Sequence, residues 1–487
     1  MTLAELSRAC GATLRGPGKL AVTGITHRSA SVQPGFVFAA LPGRKHHGIE
    51  FIEQAVAAGA VAVLTDHDPA GVLPCLVSPH PRRSTALAAW ALAGAPQQRL
   101  TMIGVTGTNG KSTVTDLVGR IAVAAGERPG VFGTLSYSLP NRSERAVRTT
   151  PEATDLAPLL RELLETGGSM AVMEVSSHAI SLERVAGLEF DIVAWTNLTR
   201  DHLDFHHDLE DYFATKASLT GMLRSRPPGR RVIGADDPFM ARLLAQRRPG
   251  DLSFGLASGT DVTAEEIVLS HTGCRCILRT PAGAAPVALP LVGRHNLRNA
   301  LAAAAVATAA GWPLAATVAG LESAAPLPGR LEPVDALAAC PVFVDYAHTP
   351  DALEQVLASL REVSGRRLIV VFGCGGDRDP GKRGPMGEVV GRLADVPIVT
   401  SDNPRSEDPD AIIAQIMTGV RGSGNPRALA IADRREAIAA ALSMADERSL
   451  VLVAGKGHET EQVFADRTVP FDDREVVREL ARRRRSP

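Results

Sequence analysis

The stretch Gly107-Thr-Asn-Gly-Lys111-Ser-Thr113 is the part of the sequence that decides the fold. It follows the apolar run Met102-Ile-Gly-Val105 and precedes residues typical of a helix up to about Ala125, so the pattern predicts strand, loop and helix. In that setting the backbone N–H groups of a Gly-rich loop and the helix N-terminus point at an anion. The sequence therefore predicts a phosphate-binding loop.

The loop residues have predicted roles in binding a nucleotide. Lys111 pairs with the outer phosphates, and the hydroxyl of Ser112 lies on Mg²⁺. The pattern G-x-x-x-x-G-K-[ST] is not met strictly, because Val105 occupies the position of its first glycine. An ATP loop alone leaves kinase, ATPase and ligase open. We predict that ATP is bound by Gly107, Thr108, Asn109, Gly110, Lys111, Ser112 and Thr113.

Composition narrows the class of protein. The chain has 487 residues, of which 45% are apolar and 22% charged, so we expect about three globular domains. A formal net charge of -1 offers no field that would recruit nucleic acid, and no apolar run is long enough to insert in a membrane. With six scattered cysteines and no signal peptide at the N-terminus, we expect a cytoplasmic protein, and we expect a monomer. The terminal run Arg482 to Arg485 is predicted to be solvated, although contact with phosphate or lipid is the alternative.

Short apolar runs that alternate with helices predict an α/β fold in three domains. Residues 1–98 form a smaller α/β domain, with strands in Gly35–Leu41 and Ala60–Leu64. Residues 99–328 form a central parallel sheet that carries the phosphate loop. Residues 329–487 form a Rossmann-like, doubly wound sheet, because their strands are short, β-branched and apolar on both faces.

The strands of the last block each end at a polar cluster. In open α/β sheets, ligands bind beyond the carboxyl ends of the strands, so these clusters are expected to converge on one site. The clusters are Asp345-Tyr-Ala-His348, Gly375-Gly-Asp-Arg378, Asp402-Asn-Pro-Arg405 and Gly455-Lys-Gly-His-Glu459.

Two polar segments of the central block are candidates for holding a metal. Glu174 and His178 follow one predicted strand, and Thr199-Arg-Asp-His202-Leu-Asp-Phe-His206 follows another. Because Mg²⁺ prefers oxygen ligands, Glu174 is the favoured ligand and His202 a less usual one. For each histidine, a hydrogen-bonded structural role stays open.

At this point the sequence resembles the Mur ligase superfamily. The resemblance rests on T-G-T-N-G-K-S-T at 106–113, M-E-V-S-S-H at 173–178, T-N-L-T-R-D-H-L-D-F-H at 196–206 and D-Y-A-H-T-P-D at 345–351, in the expected order. It implies an ATP-dependent ligase of peptidoglycan precursor synthesis that forms an amide bond through an acyl phosphate. Within the superfamily, the chain is similar to the ligases that extend UDP-N-acetylmuramoyl-L-alanyl-D-glutamate by one amino acid.

The resemblance also indicates which amino acid is added. Asp402-Asn-Pro-Arg405 is similar to the signature for meso-diaminopimelate, whose distal carboxylate a guanidinium binds with two hydrogen bonds. Asp402 and Glu459 would pair the distal ammonium group. A plain β-turn is the alternative, since Asn-Pro favours turns. The implied diaminopimelate site is Arg378, Asp402, Asn403, Pro404, Arg405, Gly455 and Glu459.

Lys216 is ambiguous from the residues alone, because a lysine on an amphipathic helix is usually solvated. The resemblance places it at the lysine that CO₂ carbamylates in these ligases, which turns a cation into a carboxylate able to hold Mg²⁺. The implied catalytic residues are Lys111, Glu174, His202 and Lys216, and the implied metal ligands are Ser112, Glu174, His202 and carbamylated Lys216.

The remaining implied contacts concern the precursor and the nucleotide. Leu182, His295 and Arg28-Ser-Ala30 depart from residues common in the superfamily, which affects details of the precursor contacts. The implied precursor contacts are Ser29, Arg44, Lys45, His46, Thr149, Thr150, Ser176 and Arg184. Further ATP contacts are implied for Asn296, Arg330 and Asp345.

Two other functions stay open at this stage. A folylpolyglutamate synthase would share the phosphate loop but would have no reason for Asp402-Asn-Pro-Arg405. A non-catalytic ATP-binding scaffold would be favoured by loss of Lys111, Glu174 or His202, and all three are present.

Overall fold

Three sheets, built mainly from parallel strands and following one another along the chain, form the framework of the protein in its computed structural model. The structure describes residues 1–43, 46–69, 71, 73–337 and 340–485, with the backbone alone at 484 and 485. The α/β class predicted from the sequence is confirmed. The predicted breaks after residues 98 and 328 fall in connections between the sheets, and the domain boundaries themselves stay a prediction.

The first region is a five-stranded sheet in the order β1-β5-β4-β3-β2, in which only β1 is antiparallel to its neighbour. Its elements are α1 (Leu3–Cys10), β1 (Thr13–Arg15), β2 (Gly24–Thr26), β3 (Phe36–Ala39), α2 (Ile52–Ala57), β4 (Ala62–Thr65), β5 (Cys75–Val77) and α3 (Pro81–Leu92).

The central region is an eight-stranded sheet in the order β13-β12-β11-β6-β10-β7-β8-β9, in which β8 and β9 are antiparallel. Its elements are β6 (Thr101–Thr106), α4 (Lys111–Ala124), β7 (Pro129–Phe132), β8 (Ser136–Leu139), β9 (Arg142–Arg145), α5 (Ala153–Glu165), β10 (Met170–Glu174), α6 (Ser177–Ser181), β11 (Ile192–Trp195), α7 (Leu209–Ala217), β12 (Arg230–Gly234), α8 (Pro238–Leu244) and β13 (Leu252–Phe254).

A small antiparallel sheet, which the sequence did not predict, lies beside the central sheet. It packs on the long helix α9, whose alanines are almost all buried. Its elements and the helices that follow are β14 (Thr263–Ser270), β15 (Gly273–Thr280), β16 (Gly283–Leu289), α9 (Arg294–Ala310) and α10 (Leu314–Glu322).

The third region is a six-stranded sheet in the order β17-β18-β22-β19-β20-β21, in which only β17 is antiparallel. Helices cover both of its faces, as the continuously apolar strands predict. Its elements are β17 (Glu332–Pro333), β18 (Val342–Asp345), α11 (Pro350–Val363), β19 (Arg367–Phe372), α12 (Arg383–Leu393), β20 (Val396–Val399), α13 (Pro409–Gly422), β21 (Leu429–Ala430), α14 (Arg434–Met444), β22 (Ser449–Ala454), β23 (Glu461–Val463), β24 (Thr468–Pro470) and α15 (Asp473–Arg485).

Local sequence explains where the helices nearest the cleft begin. Gly110 precedes α4 with φ +86°, a left-handed conformation that suits glycine. Thr349 caps α11 by accepting a hydrogen bond from the N–H of Ala352, and Pro350 occupies the first helical position, where no N–H is needed. These starts aim two helix N-termini at the space between the central and third sheets.

The first and central regions share one apolar core. Residues of α3 pack against α5, and the indole N–H of Trp90 donates to the carbonyl of Ala186 at 2.8 Å. Among the described residues, no helix has the combined length and apolar character that crossing a membrane requires.

Candidate active site

The central and third sheets border a cleft of about 200 Å³ at the carboxyl ends of their strands. The phosphate loop forms one wall, and the segment Asp345–His348 at the end of β18 forms the opposite wall. The predicted residues that line the cleft are Thr108, Asn109, Gly110, Lys111, Ser112, Thr113, Thr149, Glu174, His202, Asn296, Arg330 and Asp345.

Two glycines allow the phosphate loop to lie against its neighbours. Gly107 has φ +148°, and a Cβ atom there would lie 1.9 Å from the hydroxyl of Thr196. A Cβ atom on Gly110 would lie 2.3 Å from the amide oxygen of Asn299. Any larger residue would push the loop away from the sheet, so both glycines are required by packing.

Lys111 lies over the loop with its ammonium group held by backbone carbonyls. Its Nζ donates to the carbonyl oxygens of Gly107 at 3.0 Å and Thr108 at 2.9 Å. Burial lowers the pKa of Lys111, although Glu174 and Asp201 oppose that effect. The cation is thus placed where an anionic group in the cleft would stabilise it.

Glu174 is the last residue of β10, level with Val105 of the neighbouring β6. Its buried carboxylate accepts hydrogen bonds from the N–H of Thr134 at 2.7 Å and the Thr134 hydroxyl at 3.1 Å. The strand register therefore places this carboxylate beside the phosphate loop, on an element 63 positions along the sequence from Lys111.

His202 follows Asp201 in a left-handed conformation, with φ +57°. Burial lowers the pKa of His202 to about 3, and that of His178, whose ring centroid lies 4.8 Å away, to about 4. Burial also acts on Asp201, but the nearby His202 and His348 outweigh it and bring its pKa to about 2. At neutral pH the site therefore holds a carboxylate beside two uncharged imidazoles.

Lys216 lies in α7, behind the phosphate loop, with a side chain that is almost fully buried. Its Nζ donates to the carbonyl of Gly107 at 2.9 Å and lies 4.5 Å from the ring centroid of Tyr212. Burial lowers the pKa of Lys216 well below its ordinary value, and the positive charge of Lys111 adds to the effect. A buried amine in this setting is readily available in its neutral, nucleophilic form.

Asn296 and Arg330 also line the cleft. The amide of Asn296 donates to the carbonyl of Val292 at 2.9 Å. The guanidinium of Arg330 lies 4.7 Å from the ring centroid of Tyr346, and its buried Nε has no hydrogen-bond partner among the described residues. The Arg330 guanidinium therefore offers the cleft a cation that stacks on an aromatic ring.

Asp345 is held rigidly at the end of β18. Its carboxylate accepts from the N–H groups of Leu331 at 2.5 Å and Ala347 at 2.7 Å. Burial raises its pKa, although the nearby Arg330 and these two N–H groups oppose the shift.

Direct contacts hold the third region against the central one. The carboxylate of Asp351 accepts from the Asn109 amide at 2.9 Å and from the Thr199 hydroxyl at 3.1 Å. Arg200 pairs with Asp379 at 3.2 Å. Asn109 belongs to the phosphate loop, so the position of the third region bears directly on that loop.

A second pocket of about 410 Å³ lies between the first and central regions. It contains the predicted residues Ser29, His46 and Arg184, together with Leu182. Arg44 and Lys45, which are also predicted to contact the precursor, lie outside the described residues.

A chain of hydrogen bonds connects this second pocket to the cleft. Arg184 donates to the carbonyl of Thr150 at 3.4 Å, and the Thr150 hydroxyl donates to the carbonyl of Glu174 at 2.8 Å. The N–H of Ser176 donates to the same hydroxyl at 3.0 Å, and Thr149 lines the cleft. These hydrogen bonds fix the wall of the second pocket relative to the end of β10, where Glu174 lies.

A compact polar group, which we call the Asn403 cluster, lies next to the cleft and consists of Asp402, Asn403, Lys456 and Glu459. The Asn403 amide oxygen accepts from Lys456 Nζ at 3.1 Å, and its nitrogen donates to Glu459 at 2.7 Å. Burial raises the pKa of Glu459, with a further contribution from Asp402. For Asp402 the effect of burial is outweighed by nearby cations, first Arg434 and then Lys456, and its pKa is lowered.

The other predicted diaminopimelate residues surround this cluster. Arg405 has φ +54°, and its guanidinium donates to the carbonyl of Gly376 at 2.6 Å. Pro404 is buried beside it. A Cβ atom on Gly455 would lie 2.6 Å from the Asp402 carboxylate, so the backbone approaches closely.

Arg378 points toward the central region rather than into the cluster. Its guanidinium lies 3.7 Å from the carboxylate of Asp204, in the loop that carries His202. The rings of Tyr346 and His458 lie 5.1 Å apart and join the cluster to the cleft. The four polar strand ends thus lie at one edge of the sheet, as expected.

Several cleft residues were not assigned a role from the sequence. Asp201, Tyr346 and His348 stand beside assigned residues in the quoted motifs, so their positions carried a signal. Thr134 and Asn299 carried none, because their contacts to Glu174 and to the phosphate loop depend on distant parts of the chain.

Comparison with known families gives matches along most of the chain. The models described as Mur ligase family, catalytic domain, as Mur ligase middle domain and as Mur ligase, glutamate ligase domain match residues 21–91, 105–307 and 329–457, in that order.

Curated relatives are similar over nearly their full length. A protein of Solibacter usitatus is 42% identical, covering 94% of this chain and 93% of its own, and one of Geobacillus thermodenitrificans is 40% identical, covering 99% of both. Both are named UDP-N-acetylmuramoyl-L-alanyl-D-glutamate–2,6-diaminopimelate ligase.

Solved structures are also similar over most of their length. A structure titled with that same ligase name is 32% identical, with a TM-score of 0.68 and complete coverage of both chains. A Mycobacterium tuberculosis folylpolyglutamate synthase complexed with ADP is 23% identical over 77% of this chain and 91% of its own, with a TM-score of 0.63, which shows a shared fold.

Proposed function

The chain belongs to the Mur ligase family, and we propose that it is the ligase that uses ATP to join 2,6-diaminopimelate to UDP-N-acetylmuramoyl-L-alanyl-D-glutamate. The membership predicted from the sequence is confirmed. The observation that carries the proposal is the cleft that holds Lys111 and Glu174 together with a second pocket, lined by Arg184, that is tied to the cleft wall through Thr150. The cleft would take ATP, and the second pocket would take part of the nucleotide-linked precursor.

ATP is proposed to bind in the cleft, with its phosphates on the loop 107–113 and its adenosine toward Asn296, Arg330 and Asp345. Lys111 supports this assignment because its ammonium group is held by two backbone carbonyls of the loop at the wall of the cleft. The γ-phosphate would be its anionic partner. Such positioning and electrostatic stabilisation provide most of the catalysis in phosphoryl transfer.

The first step is proposed to be transfer of the γ-phosphoryl group. A carboxylate oxygen of the precursor's D-glutamate attacks the γ-phosphorus, the bond from that phosphorus to the β-γ bridging oxygen breaks, and ADP leaves. Lys111 stabilises the charge that develops on the transferred group. The product is an acyl phosphate.

The second step is proposed to form the amide bond. The amine nitrogen of diaminopimelate attacks the acyl carbon, the bond from carbon to the phosphate oxygen breaks, and the nitrogen loses a proton. Water would hydrolyse the intermediate, so the contacts of Asp351 and Asp379 with the central region support the step by holding the cleft closed.

The donors that line the cleft suit Mg²⁺, because Glu174 and Asp201 offer carboxylate oxygens and Ser112 a hydroxyl. The neutral imidazole of His202 is a further donor. When bound there, Mg²⁺ would neutralise negative charge on the phosphates.

Lys216 is proposed to be carbamylated. Its neutral amine would attack the carbon of CO₂ and lose a proton, which leaves an anionic carbamate beside the phosphate loop. The lowered pKa of Lys216, caused first by burial and then by Lys111, supports the proposal because only the neutral amine reacts. The carbamate would be a further oxygen donor for Mg²⁺.

Diaminopimelate is proposed to bind at the Asn403 cluster and Arg405. Asp402 and Glu459 would pair its distal ammonium group, and Arg405 its distal carboxylate, with Asn403, Pro404 and Gly455 completing the site. Arg378, also predicted from the sequence, lies beside Asp204 and would have to turn from it to join the site. The monomeric state and the cytoplasmic location expected from the sequence stay predictions.

The test is release of phosphate from ATP with UDP-N-acetylmuramoyl-L-alanyl-D-glutamate and one amino acid in each of three tubes. We expect release with meso-diaminopimelate and not with lysine or glutamate, and a product whose mass shows the new amide. Release with lysine alone or with glutamate alone would contradict the amino-acid assignment.

Arg405→Ala gives a second test. We expect the KM for diaminopimelate to rise by about tenfold or more, since a bidentate contact to a carboxylate is lost, while the KM for ATP stays nearly constant. Arg427→Ala, at an exposed arginine of the same region, is the matched control. Equal effects of Arg405→Ala on both KM values would contradict its assigned role.

A further inference from the structure

A fully buried ion pair lies directly beneath the Asn403 cluster. Arg434, the first residue of α14, bonds Asp473, the first residue of α15, through Nε at 2.8 Å and Nη2 at 2.7 Å. Both side chains are 0% exposed. The bidentate geometry fixes the plane of the guanidinium, so its remaining N–H groups have set directions.

Those N–H groups bond two backbone carbonyls at the ends of strands. Nη2 donates to the carbonyl of Ala454 at 2.9 Å, and Nη1 to that of Ser401 at 3.4 Å. Ser401 immediately precedes Asp402, and Ala454 immediately precedes Gly455. One guanidinium therefore holds the starts of both loops that carry the Asn403 cluster.

The sheet itself does not join these two loops directly. In the strand order, β19 lies between β20 and β22, so their axes are about 10 Å apart and no ladder hydrogen bond links them. Arg434 spans that gap across the end of β19. Within the cluster, Asn403 bonds Lys456 and Glu459 across the two loops. Arg434 adds a second link at the point where both loops leave the sheet, so the distance between Asp402 and Glu459 depends in part on a side chain outside the cluster.

Arg434 also acts on the charge of the cluster. Burial alone would raise the pKa of Asp402, but Arg434 makes the largest opposing contribution, and the pKa is lowered. Asp402 therefore stays ionised while it is buried, which is the state needed to attract an ammonium group.

We propose that Arg434, oriented by Asp473, is a positioning residue that sets the spacing of the loops 402–405 and 455–459 for binding the distal head of the amino-acid substrate. The inference rests on the proposed function. Lysine could not replace Arg434, because an ammonium group is a point charge without the planar fork that bonds one carboxylate and two carbonyls together.

The chain provides a matched control elsewhere. Arg231 and Asp251 form another buried ion pair in the central region, and both side chains are 2% exposed. Nε and Nη2 of Arg231 donate to the same carboxylate oxygen, Oδ2, at 2.8 and 2.6 Å. Arg231 also donates to a backbone carbonyl, that of Gln246. Arg231→Lys therefore makes the same chemical change at similar burial, in β12, away from the amino-acid loops.

The experiment compares Arg434→Lys, Arg231→Lys and the unaltered full chain, with KM for diaminopimelate, KM for ATP, kcat and the thermal midpoint measured for each. We expect both variants to lower the midpoint. We expect Arg434→Lys alone to raise the KM for diaminopimelate, by on the order of tenfold to a hundredfold, because displacement of site groups by about 1 Å has effects of that size. The KM for ATP should change less than about twofold in both.

The outcomes distinguish a failure of the proposed function from a failure of the positioning role. If the unaltered chain shows no turnover that depends on diaminopimelate, the proposed function is wrong and this inference falls with it. If the unaltered chain is active but Arg434→Lys raises neither KM, or both equally, or if Arg231→Lys behaves the same way, the positioning role is wrong. Should Arg434→Lys fail to fold, Asp473→Asn against Asp251→Asn gives the same comparison, with a smaller rise expected for Asp473→Asn.

Discussion

Two buried lysines, one in the central region and one in the third, show how differently the two sides of the site are built. Lys216 is 1% exposed and Lys456 is 0% exposed. Lys216 donates to a backbone carbonyl of Gly107 and has Lys111 as a positively charged neighbour. Lys456 donates to Asn403, to Glu459 and to the carbonyl of Glu461 at 3.1, 3.3 and 2.5 Å.

The difference concerns where the compensating negative charge comes from. In the third region it is already present, because Glu459 pairs with Lys456 and Asp473 with Arg434. In the central region Lys111 and Lys216 repel each other, and Glu174 and Asp201 compensate their charges only in part. Phosphate or a carbamate would add the remaining negative charge. Unfavourable electrostatics in a free enzyme are typical of groups that act on charged ligands. Substitutions on the two sides should therefore have opposite effects on stability.

The largest effect is expected for Lys111→Met. The cation that faces the transferred phosphoryl group is lost, and we expect kcat/KM for phosphate release to fall by about a thousandfold. Lys19→Met, at an exposed lysine of the first region, is the control and should retain full activity. A loss of less than tenfold for Lys111→Met would mean that Lys111 does not contact the reacting phosphate.

Lys216→Met should have the next largest effect, a fall of about a hundredfold in kcat/KM for phosphate release. If the role of Lys216 depends on a carbamate, short carboxylic acids such as formate or acetate should restore part of the activity by occupying the vacated space. The Lys111→Met variant is the control, because added carboxylate cannot replace a cation. Activity that formate leaves unchanged, in a folded Lys216→Met protein, would contradict carbamylation.

Much of the fold and part of the site could be predicted from local sequence. The strand, loop and helix around Lys111 end within one residue of expectation, at Ala124 instead of Ala125. This succeeds because a Gly-rich turn and an apolar strand are encoded within about twenty adjacent residues. The antiparallel sheet β14–β16 was missed, since its strands alternate weakly and several of its side chains are exposed.

The other contacts that the sequence did not predict join residues that are far apart along the chain. Arg434 lies in the run Asp433-Arg-Arg-Glu436, which has the composition of a solvated helix start. Its burial against Asp473 is decided 39 residues later in the chain. Similarly, Asp351 reaches Asn109 across 242 positions, so nothing near either residue indicates the contact.

Measuring the free energy of unfolding would test the contrast between Lys216 and Lys456 directly. We expect Lys456→Met to lower the free energy of unfolding by about 2 kcal/mol, because Glu459 and Asn403 lose a charged hydrogen-bond partner. We expect Lys216→Met to raise it, because a cation held against burial and the charge of Lys111 is removed. Denaturant unfolding of both variants in buffer free of CO₂ is the measurement.

The direction in which pH changes the stabilisation by Lys216→Met follows from the pKa of Lys216. The pKa of Lys216 is lower in the folded chain than its ordinary value of 10.5, so between the two values the unfolded chain binds the extra proton. Stability of the unaltered chain should therefore rise with pH through this range, and the advantage of Lys216→Met should shrink as pH approaches about 10. If Lys216→Met is the less stable chain at pH 7, the contrast between the two lysines is wrong.

The smallest effect is expected for Asp351→Asn, which tests whether a contact from the third region affects ATP binding in the central region. The Asp351 carboxylate accepts from Asn109 and Thr199 of the central region and from Gln355 of its own helix, at 2.9, 3.1 and 2.9 Å. An amide of the same shape keeps one oxygen but loses the charge, so the KM for ATP should rise by about fivefold, the effect of weakening one or two hydrogen bonds.

Burial raises the pKa of Asp351, although its hydrogen-bond donors oppose the shift. Acidification should therefore protonate it earlier than an ordinary aspartate and raise the KM for ATP of the unaltered chain toward that of Asp351→Asn. If the ratio of the two KM values stays constant as the pH falls, Asp351 does not hold the phosphate loop through its charge, and the two regions bind their ligands independently.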